Sequence, residues 1–186
     1  LRDELPGISV AELSLSDTIL WPFGNMILPY DSDEVDMQKL TKAIDDSFIN
    51  EDPKHPNNQR AVIVVYKGKI IAEKHDPNFG PNTPQIGWSM SKSITNAMLG
   101  VLVKKRGFDI YAPAPIPEWS DPNDPRSKIT TDQLLRMSSG LEWEEDYGKV
   151  SHATKMLYGS EDMGLYASQL GMDFKADEKW LYSSGT

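Results

Sequence analysis

Hydrophobic residues recur every three or four positions in the first third of the chain. From about residue 32 to residue 49 this spacing predicts an amphipathic helix. Four apolar residues form its predicted buried face: Met37, Leu40, Ile44 and Phe48. Before this helix, residues 1–33 are interrupted by prolines and glycines, so they are interpreted as an irregular lead-in that wraps around a domain.

Residues 61–75 contain two runs of apolar, largely β-branched residues on either side of Lys67-Gly68, and this pattern predicts a β-hairpin. The first run, Ala61–Val65, is apolar without alternation, so this strand is expected to be buried on both faces. Because a two-stranded hairpin is not a stable sheet alone, we expect helices or further strands to cover it.

A second helix has the clearest periodicity in the chain, and Gly107 is expected to end it. Its apolar positions are Ile94, Ala97, Met98, Val101 and Leu102. This face is apolar enough that the helix is expected to be buried. Further along, Thr130 and Gln133 form a predicted capping box that opens a short helix through Met137, and another helix fits Ser160–Leu170.

Composition narrows the function classes. The 186 residues contain 19 Lys+Arg against 28 Asp+Glu, a net charge of −9, which argues against nonspecific binding to nucleic acid or to an anionic membrane. No apolar stretch approaches the ~20 residues that span a bilayer. The chain has no cysteine, which excludes disulfides, thiolate metal sites and a cysteine nucleophile. His55, His75 and His152 lack the spacing of metal ligands, so neither a metal site nor a cofactor is predicted.

The candidate site is the tetrapeptide Ser89-Met90-Ser91-Lys92 at the start of the second helix. The Ser-x-x-Lys spacing puts a hydroxyl and an amine one turn apart on the same face. Ser89 could then act as a nucleophile with Lys92 as its base, and its own N–H at the helix N-terminus could stabilise an oxyanion. Tyr182 is a candidate partner base or proton shuttle. The alternative interpretation is an N-cap serine followed by a solvated lysine.

Four segments of the chain resemble segments that occur in the same order in the penicillin-recognising serine hydrolases. The similarity is to the branch that contains class C β-lactamases, D-Ala-D-Ala peptidases, related esterases and 6-aminohexanoate-dimer hydrolases. The four segments resemble, respectively, the first hairpin of the family's sheet, its nucleophile helix, its Ser-Gly-Leu segment and its Tyr-x-Asn region. They are Ala61–His75, Ile86–Thr95, Ile129–Leu141 and Trp180–Thr186.

The resemblance implies an α+β fold of the β-lactamase/transpeptidase type, with an antiparallel sheet flanked by helices and a helical subdomain. It implies that Ser89 is the acylated nucleophile, that Lys92 is its base and that Tyr182 relays a proton to the leaving group. The implied substrate is a small ester or amide, with no cofactor. The resemblance favours a periplasmic or extracellular location and leaves a cytoplasmic one open.

The sequence departs from the family pattern in two places. Ser184 stands where the Tyr-x-Asn motif has asparagine, and a serine lacks the two amide donors, which fits the esterase and amide-hydrolase relatives better than a true β-lactamase. The family's later Lys/His-Thr-Gly strand is absent. We therefore expect residues 59–186 to be the N-terminal part of the catalytic domain and residues 1–58 to be the lead-in and its helix. A second chain or segment is expected to supply the C-terminal part.

Four residues near the matched motifs are candidates for substrate binding: Ser184, Trp88, Trp143 and Tyr147. The tryptophans either line the cleft or belong to the core, and both interpretations stay open. The region Glu142–Tyr147 resembles the aminohexanoate-dimer hydrolase branch.

Other functions stay open alongside an acyl-enzyme hydrolase. One alternative is a non-catalytic or penicillin-binding-type module that keeps the fold, and another is a true β-lactamase or D-Ala-D-Ala carboxypeptidase. An α/β-hydrolase is a weaker alternative, because residues 87–91 lack the last glycine of Gly-x-Ser-x-Gly.

Overall fold

The computed structural model describes residues 17–30 and 33–186. Contacts divide the chain into two units, one that extends to Gln85 and one that comprises Ile86–Thr186. Residues 1–16 and 31–32 lie outside the described residues, and so does most of the predicted irregular lead-in. The boundary between residues 58 and 59 stays a prediction.

The first unit contains one helix and a hairpin. Helix α1 spans Met37–Ser47, with Asp36 as its N-cap, so it is shorter at both ends than the predicted range. Strand β1 (Ala61–Tyr66) pairs antiparallel with strand β2 (Lys69–His75), which confirms the predicted hairpin. Both residues of the turn have positive φ, 46° at Lys67 and 75° at Gly68, as a two-residue type I′ turn requires.

The predicted burial of β1 on both faces is wrong for the described residues. Ile63 and Val65 are exposed and the remaining side chains of the strand are only partly buried. The reason is that the sheet has only two strands in the described part of the chain, so the face that carries Ile63 and Val65 is not covered there. An apolar run predicts that a strand is buried, but its burial requires another element to pack against it.

The second unit begins with the long helix α2, Met90–Arg106, which Gly107 follows as predicted. The expectation that this helix is buried is wrong for the described chain, since none of its residues is buried and Ile94, Met98 and Val101 are exposed. The apolar residues of α2 do recur at the helical period, but no described residue covers them. Within residues 17–30 and 33–186, no helix has the length and apolarity to cross a membrane.

The second unit also contains two 3-10 helices, Pro117–Trp119 and Pro125–Lys128, and three short α-helices. Helix α3, Thr131–Leu135, opens with the predicted capping box of Thr130 and Gln133. Helix α5, Met163–Ser168, lies inside the predicted range of residues 160–170. Helix α4, His152–Gly159, was not predicted from the sequence. Its capping box pairs Ser151 with a threonine, Thr154, in place of the usual glutamate or glutamine, so it lacks the sequence signature of a helix start.

Two buried clusters form the core of the second unit. Trp119, Ile129 and Leu141 form the first. Trp143, Ala153 and Met156 form the second, which joins α4 to the segment after Ser-Gly-Leu. Arg126 links the loops beside the first cluster, because its Nη1 donates to the carbonyls of Ser168 and Leu170 at 2.8 and 2.7 Å.

The glycine of the Ser-Gly-Leu segment is required by its surroundings. Gly140 has a φ of 78°, and a Cβ there would stand 2.9 Å from the carbonyl carbon of Phe174. The N–H groups of Asp173 and Phe174 both donate to the Gly140 carbonyl, at 3.0 and 3.1 Å. This close approach brings the segment that leads to Tyr182 against the Ser-Gly-Leu turn.

We expect Gly140→Ala to lower the free energy of unfolding by about 1–3 kcal/mol, because it combines left-handed backbone strain with a clash against backbone atoms. Gly100→Ala is the matched control, since a Cβ at Gly100 in α2 meets no atom within 4 Å. Denaturant unfolding of the two variants measures the difference. Equal stability of the two would contradict the close approach.

Candidate active site

Ser89 lies at the start of α2, where it is the N-cap residue with φ −68° and ψ −9°. The preceding residue, Trp88, has a φ of 43°, an uncommon conformation for a non-glycine residue and one that tends to occur at functional sites. Among the described residues, no hydrogen-bond acceptor is assigned to the Ser89 N–H. That donor is therefore available at the helix N-terminus, as the sequence led us to expect.

Three hydroxyl and amine groups meet at Ser89. The Nζ of Lys92 donates to Ser89 Oγ at 3.0 Å, and the phenol of Tyr182 donates to the same Oγ at 2.6 Å. The Lys92 amine also lies 5.0 Å from the centroid of the Tyr182 ring. A residue 93 positions away along the chain thus comes within hydrogen-bond distance of the Ser-x-x-Lys helix.

Tyr182 reaches this position through a segment that is tied to the Ser-Ser-Gly turn. The N–H of Leu181 donates to the Met137 carbonyl at 2.9 Å, and the N–H of Asp177 donates to the Ser138 carbonyl at 2.8 Å. The Asp177 carboxylate in turn accepts hydrogen bonds from three side chains. They belong to Gln133, Arg136 and Ser138. These contacts hold the residues before Tyr182 against α3 and the turn that follows it.

The surroundings of Tyr182 make its phenol a stronger acid. The hydrogen bond with Ser89 lowers the pKa of Tyr182 below the ordinary value, and the Lys92 amine lowers it further. Burial and the charge of Glu145 act in the opposite direction but are outweighed. A more acidic phenol gives up its proton to a leaving group more readily, which suits a proton relay.

Glu145 was not among the predicted site residues, but in the structure its carboxylate contacts two of them, Ser184 and Tyr147. Its carboxylate accepts from the Ser184 hydroxyl at 2.6 Å and from the Ser184 N–H at 2.8 Å. Ser184 Oγ accepts in turn from Lys92 Nζ at 3.3 Å. The only signal in the sequence was its membership of the acidic run from Glu142 to Tyr147, where nothing distinguished it from its neighbours.

Partial burial disfavours the charged form of Glu145, yet its hydrogen bonds outweigh that effect. Donation by the hydroxyls of Ser184 and Tyr147, then by the Ser184 N–H and the Trp143 indole, lowers the pKa of Glu145 below its ordinary value. The carboxylate therefore stays ionised at neutral pH. The same contact raises the pKa of Tyr147, because its phenol donates to Glu145.

Trp143 belongs to the core and does not present its ring to an open cleft. Its side chain is buried, with the residue 7% exposed, and it packs with Ala153 and Met156. Its Nε1 donates to Glu145, and a Cβ on Gly185 would stand 2.5 Å from its ring. Of the two interpretations of this tryptophan, burial in the core is the one that its environment supports.

Trp88 and Tyr147 form an exposed aromatic pair beside Ser89. Their ring centroids are 6.4 Å apart at an interplanar angle of 85°, an edge-to-face arrangement. Trp88 is 59% exposed and can offer apolar surface to a ligand. Among residues 17–30 and 33–186, no group of three or more His, Asp or Glu side chains could hold a metal ion.

Comparison with known proteins gave one family match and a structural neighbour. The Beta-lactamase family profile matches residues 58–186. A solved structure described as "Putative 6-aminohexanoate-dimer hydrolase from Bacillus anthracis" superposes with a TM-score of 0.57 at 18% sequence identity. That alignment covers 78% of this chain and 39% of the other, so the chain spans well under half the length of this structural neighbour. No curated protein sequence matches the chain.

The chain belongs to the beta-lactamase family, because the family profile covers more than half of its residues. The structural neighbour has the same fold, which confirms the predicted α+β class, and the described residues form a two-stranded antiparallel sheet and helices. The predicted resemblance to the β-lactamase-related family is thereby confirmed.

Proposed function

We propose that this protein is a serine hydrolase that forms an acyl-enzyme on Ser89 and hydrolyses an ester or a linear amide. One observation carries the proposal: the Ser89 hydroxyl accepts hydrogen bonds from both Lys92 Nζ and the Tyr182 phenol, at 3.0 and 2.6 Å. A hydroxyl becomes a strong nucleophile when a neighbouring base can take its proton. Lys92 and Tyr182 both lie close enough to Ser89 to exchange a proton with it.

The reaction runs through two acyl-transfer steps. Ser89 Oγ attacks the substrate carbonyl while Lys92 accepts the hydroxyl proton. The Ser89 N–H stabilises the oxyanion, and Tyr182 passes a proton to the departing alcohol or amine. Water then attacks the ester between Ser89 and the acyl group, which releases the acid and restores the free hydroxyl.

The surroundings of Ser184 favour ester or linear amide substrates over β-lactams. The Ser184 hydroxyl already donates to Glu145 and accepts from Lys92. A hydroxyl carries a single proton, so Ser184 has no donor left for a substrate amide, which an asparagine at this position would offer. The name of the structural neighbour, an aminohexanoate-dimer hydrolase, is in line with a linear amide. A β-lactamase or a D-Ala-D-Ala carboxypeptidase remains the second candidate that the family suggests.

We propose further that the activity needs the remaining part of the fold, supplied by a further segment or by a second chain. This is supported by the exposed apolar faces of β1 and α2 and by the 39% of the neighbour's chain that the alignment covers. Residues 59–186 would then be the N-terminal portion of the catalytic domain. Its activity is therefore to be measured on the complete hydrolase.

Covalent labelling tests the acyl-enzyme proposal. We expect a fluorophosphonate or an activated ester to modify the complete hydrolase once, on the peptide that contains Ser89, because this hydroxyl alone in the site has both donors beside it. Peptide mass spectrometry locates the adduct, and Ser93, one residue beyond Lys92 in α2, is an internal control. An adduct anywhere other than Ser89 would refute the proposal.

A panel of three substrates tests the substrate class: an activated ester, a linear amide dimer and a β-lactam. The proposal requires turnover of the ester or the amide to exceed that of the β-lactam. Preferential turnover of the β-lactam would move the assignment to the second candidate.

A further inference from the structure

The carboxylate of Glu145 accepts four hydrogen bonds, two at each oxygen. Its Oε1 receives the hydroxyls of Ser184 and Tyr147, at 2.6 and 2.5 Å. Its Oε2 receives the Ser184 N–H at 2.8 Å and the indole of Trp143. A carboxylate has about four lone-pair sites. Glu145 therefore has none left for a substrate cation or for the proton of a nucleophile.

Its contacts set the direction of the Ser184 hydroxyl. A serine hydroxyl has one proton and can rotate it to any nearby acceptor. Because that proton is held by the ionised Glu145 at 2.6 Å, the lone pairs of Ser184 Oγ face the other way, where Lys92 Nζ donates to them at 3.3 Å. Lys92 is thus directed by two oxygens, those of Ser184 and Ser89.

This arrangement gives a physical reason for a serine at the third position of the Tyr-x-Ser motif. An asparagine amide has a fixed acceptor and fixed donors, so its geometry alone presents an oxygen to the lysine. A serine hydroxyl has no such fixed polarity and needs a strong external acceptor to define it. Glu145 supplies that acceptor, and the buried Trp143 keeps the carboxylate in place.

We propose that Glu145 is a positioning residue for this site: it orients the Ser184 hydroxyl as an acceptor and thereby holds the Lys92 amine beside Ser89. The proposal rests on the proposed function. It extends the site by a chain of hydrogen bonds that runs from Glu145 through Ser184 and Lys92 to Ser89, and Glu145 acts without touching the substrate.

The variant Glu145→Gln tests the proposal in the complete hydrolase. A glutamine keeps the shape but turns one oxygen into a donor, which must face Ser184, Tyr147 or Trp143. We expect kcat/KM for an activated ester to fall by up to about 100-fold, the cost of a misplaced catalytic group. Glu144→Gln is the matched control, because Glu144 is exposed and pairs with Lys149 at 2.6 Å. It should match the wild type.

A pH profile separates positioning from a merely structural role. The groups that act on Tyr182 are Ser89, Lys92 and Glu145, and the Glu145 charge raises the pKa of Tyr182. Removal of that charge lowers this pKa, so the basic limb of the kcat/KM profile should move to lower pH in Glu145→Gln and stay unchanged in Glu144→Gln. A variant that only loosens the fold would lower the amplitude without moving the limb.

Two Ser184 variants keep the proposal testable if Glu145→Gln does not fold. Ser184→Ala should lose activity as Glu145→Gln does, whereas Ser184→Thr, which keeps the hydroxyl, should retain most of it. The double variant Glu145→Gln/Ser184→Ala should be no slower than Ser184→Ala, because both changes break the same chain. Additive losses, or a Ser184→Ala enzyme as fast as the wild type, would overturn the proposal.

The outcomes also distinguish this inference from the function on which it rests. If the wild-type hydrolase is not acylated at Ser89, both are overturned. If Ser89 is acylated and Glu145→Gln matches Glu144→Gln in rate and pH profile, only the role of Glu145 is overturned.

Discussion

Replacement of Ser89 by alanine is expected to lower kcat of the complete hydrolase by about 10⁴-fold or more, the loss typical of a removed nucleophile. The reason is geometric: Lys92 Nζ and the Tyr182 phenol both donate to Ser89 Oγ, the atom that forms the acyl bond in the proposed reaction. Steady-state kinetics with an activated ester measures the change.

Ser93→Ala is the control for this experiment. Ser93 lies in the same helix one residue beyond Lys92, and it is exposed and has no role in the proposed reaction. The Ser93→Ala enzyme should keep the wild-type rate, and it reports any general effect of losing a hydroxyl from α2. Undiminished turnover in Ser89→Ala would refute the acyl-enzyme mechanism.

Trp119→Ala should have the largest effect on stability, a loss of about 3–5 kcal/mol of unfolding free energy. Trp119 is 4% exposed and packs with Ile129 and Leu141. Its indole N–H also donates to the Ser168 carbonyl at 2.8 Å, so alanine leaves a cavity and removes one of the two hydrogen bonds to that carbonyl, the other being donated by Arg126. Denaturant unfolding of the complete protein measures this loss.

Trp180→Ala is the matched control for the stability measurement. Trp180 is 67% exposed, and substitutions of exposed side chains usually change stability by within about 0.5 kcal/mol. A similar loss in the two variants would contradict the view that the cluster around Trp119 carries the stability of the second unit.

The proposed catalytic residues lie in two segments of the chain, and the sequence pattern identifies one of them more clearly than the other. Ser89 and Lys92 could be identified because their spacing matches one helical turn, and the helix is marked by its own periodicity. Tyr182 could be named as a partner through the resemblance to the family and the turn around it. Its distance of 2.6 Å from Ser89 comes from the hydrogen bonds that hold residues 177–181 against Met137 and Ser138, which no local pattern specifies.

Glu145 illustrates what sequence reasoning missed. It lies in a run of acidic residues in which any carboxylate could equally face solvent, as that of Glu144 does with Lys149. Its role follows from Ser184, 39 positions away, and from a tryptophan whose burial depends on the packing of α4. Contacts between distant residues carry no periodic signature, so the carboxylate could be found only once the chain was folded.

The sequence by itself determined the features that depend on neighbouring residues. These are the hairpin turn at Lys67-Gly68, the helical period of α2 and the capping box of Thr130, because backbone conformation and short-range hydrogen bonds fix each of them locally. The tertiary structure alone decided burial and convergence: the exposure of α2, the core position of Trp143 and the meeting of Glu145, Ser184 and Lys92. Burial and long-range hydrogen bonds depend on which distant segment packs against a residue, and a local pattern does not contain that information.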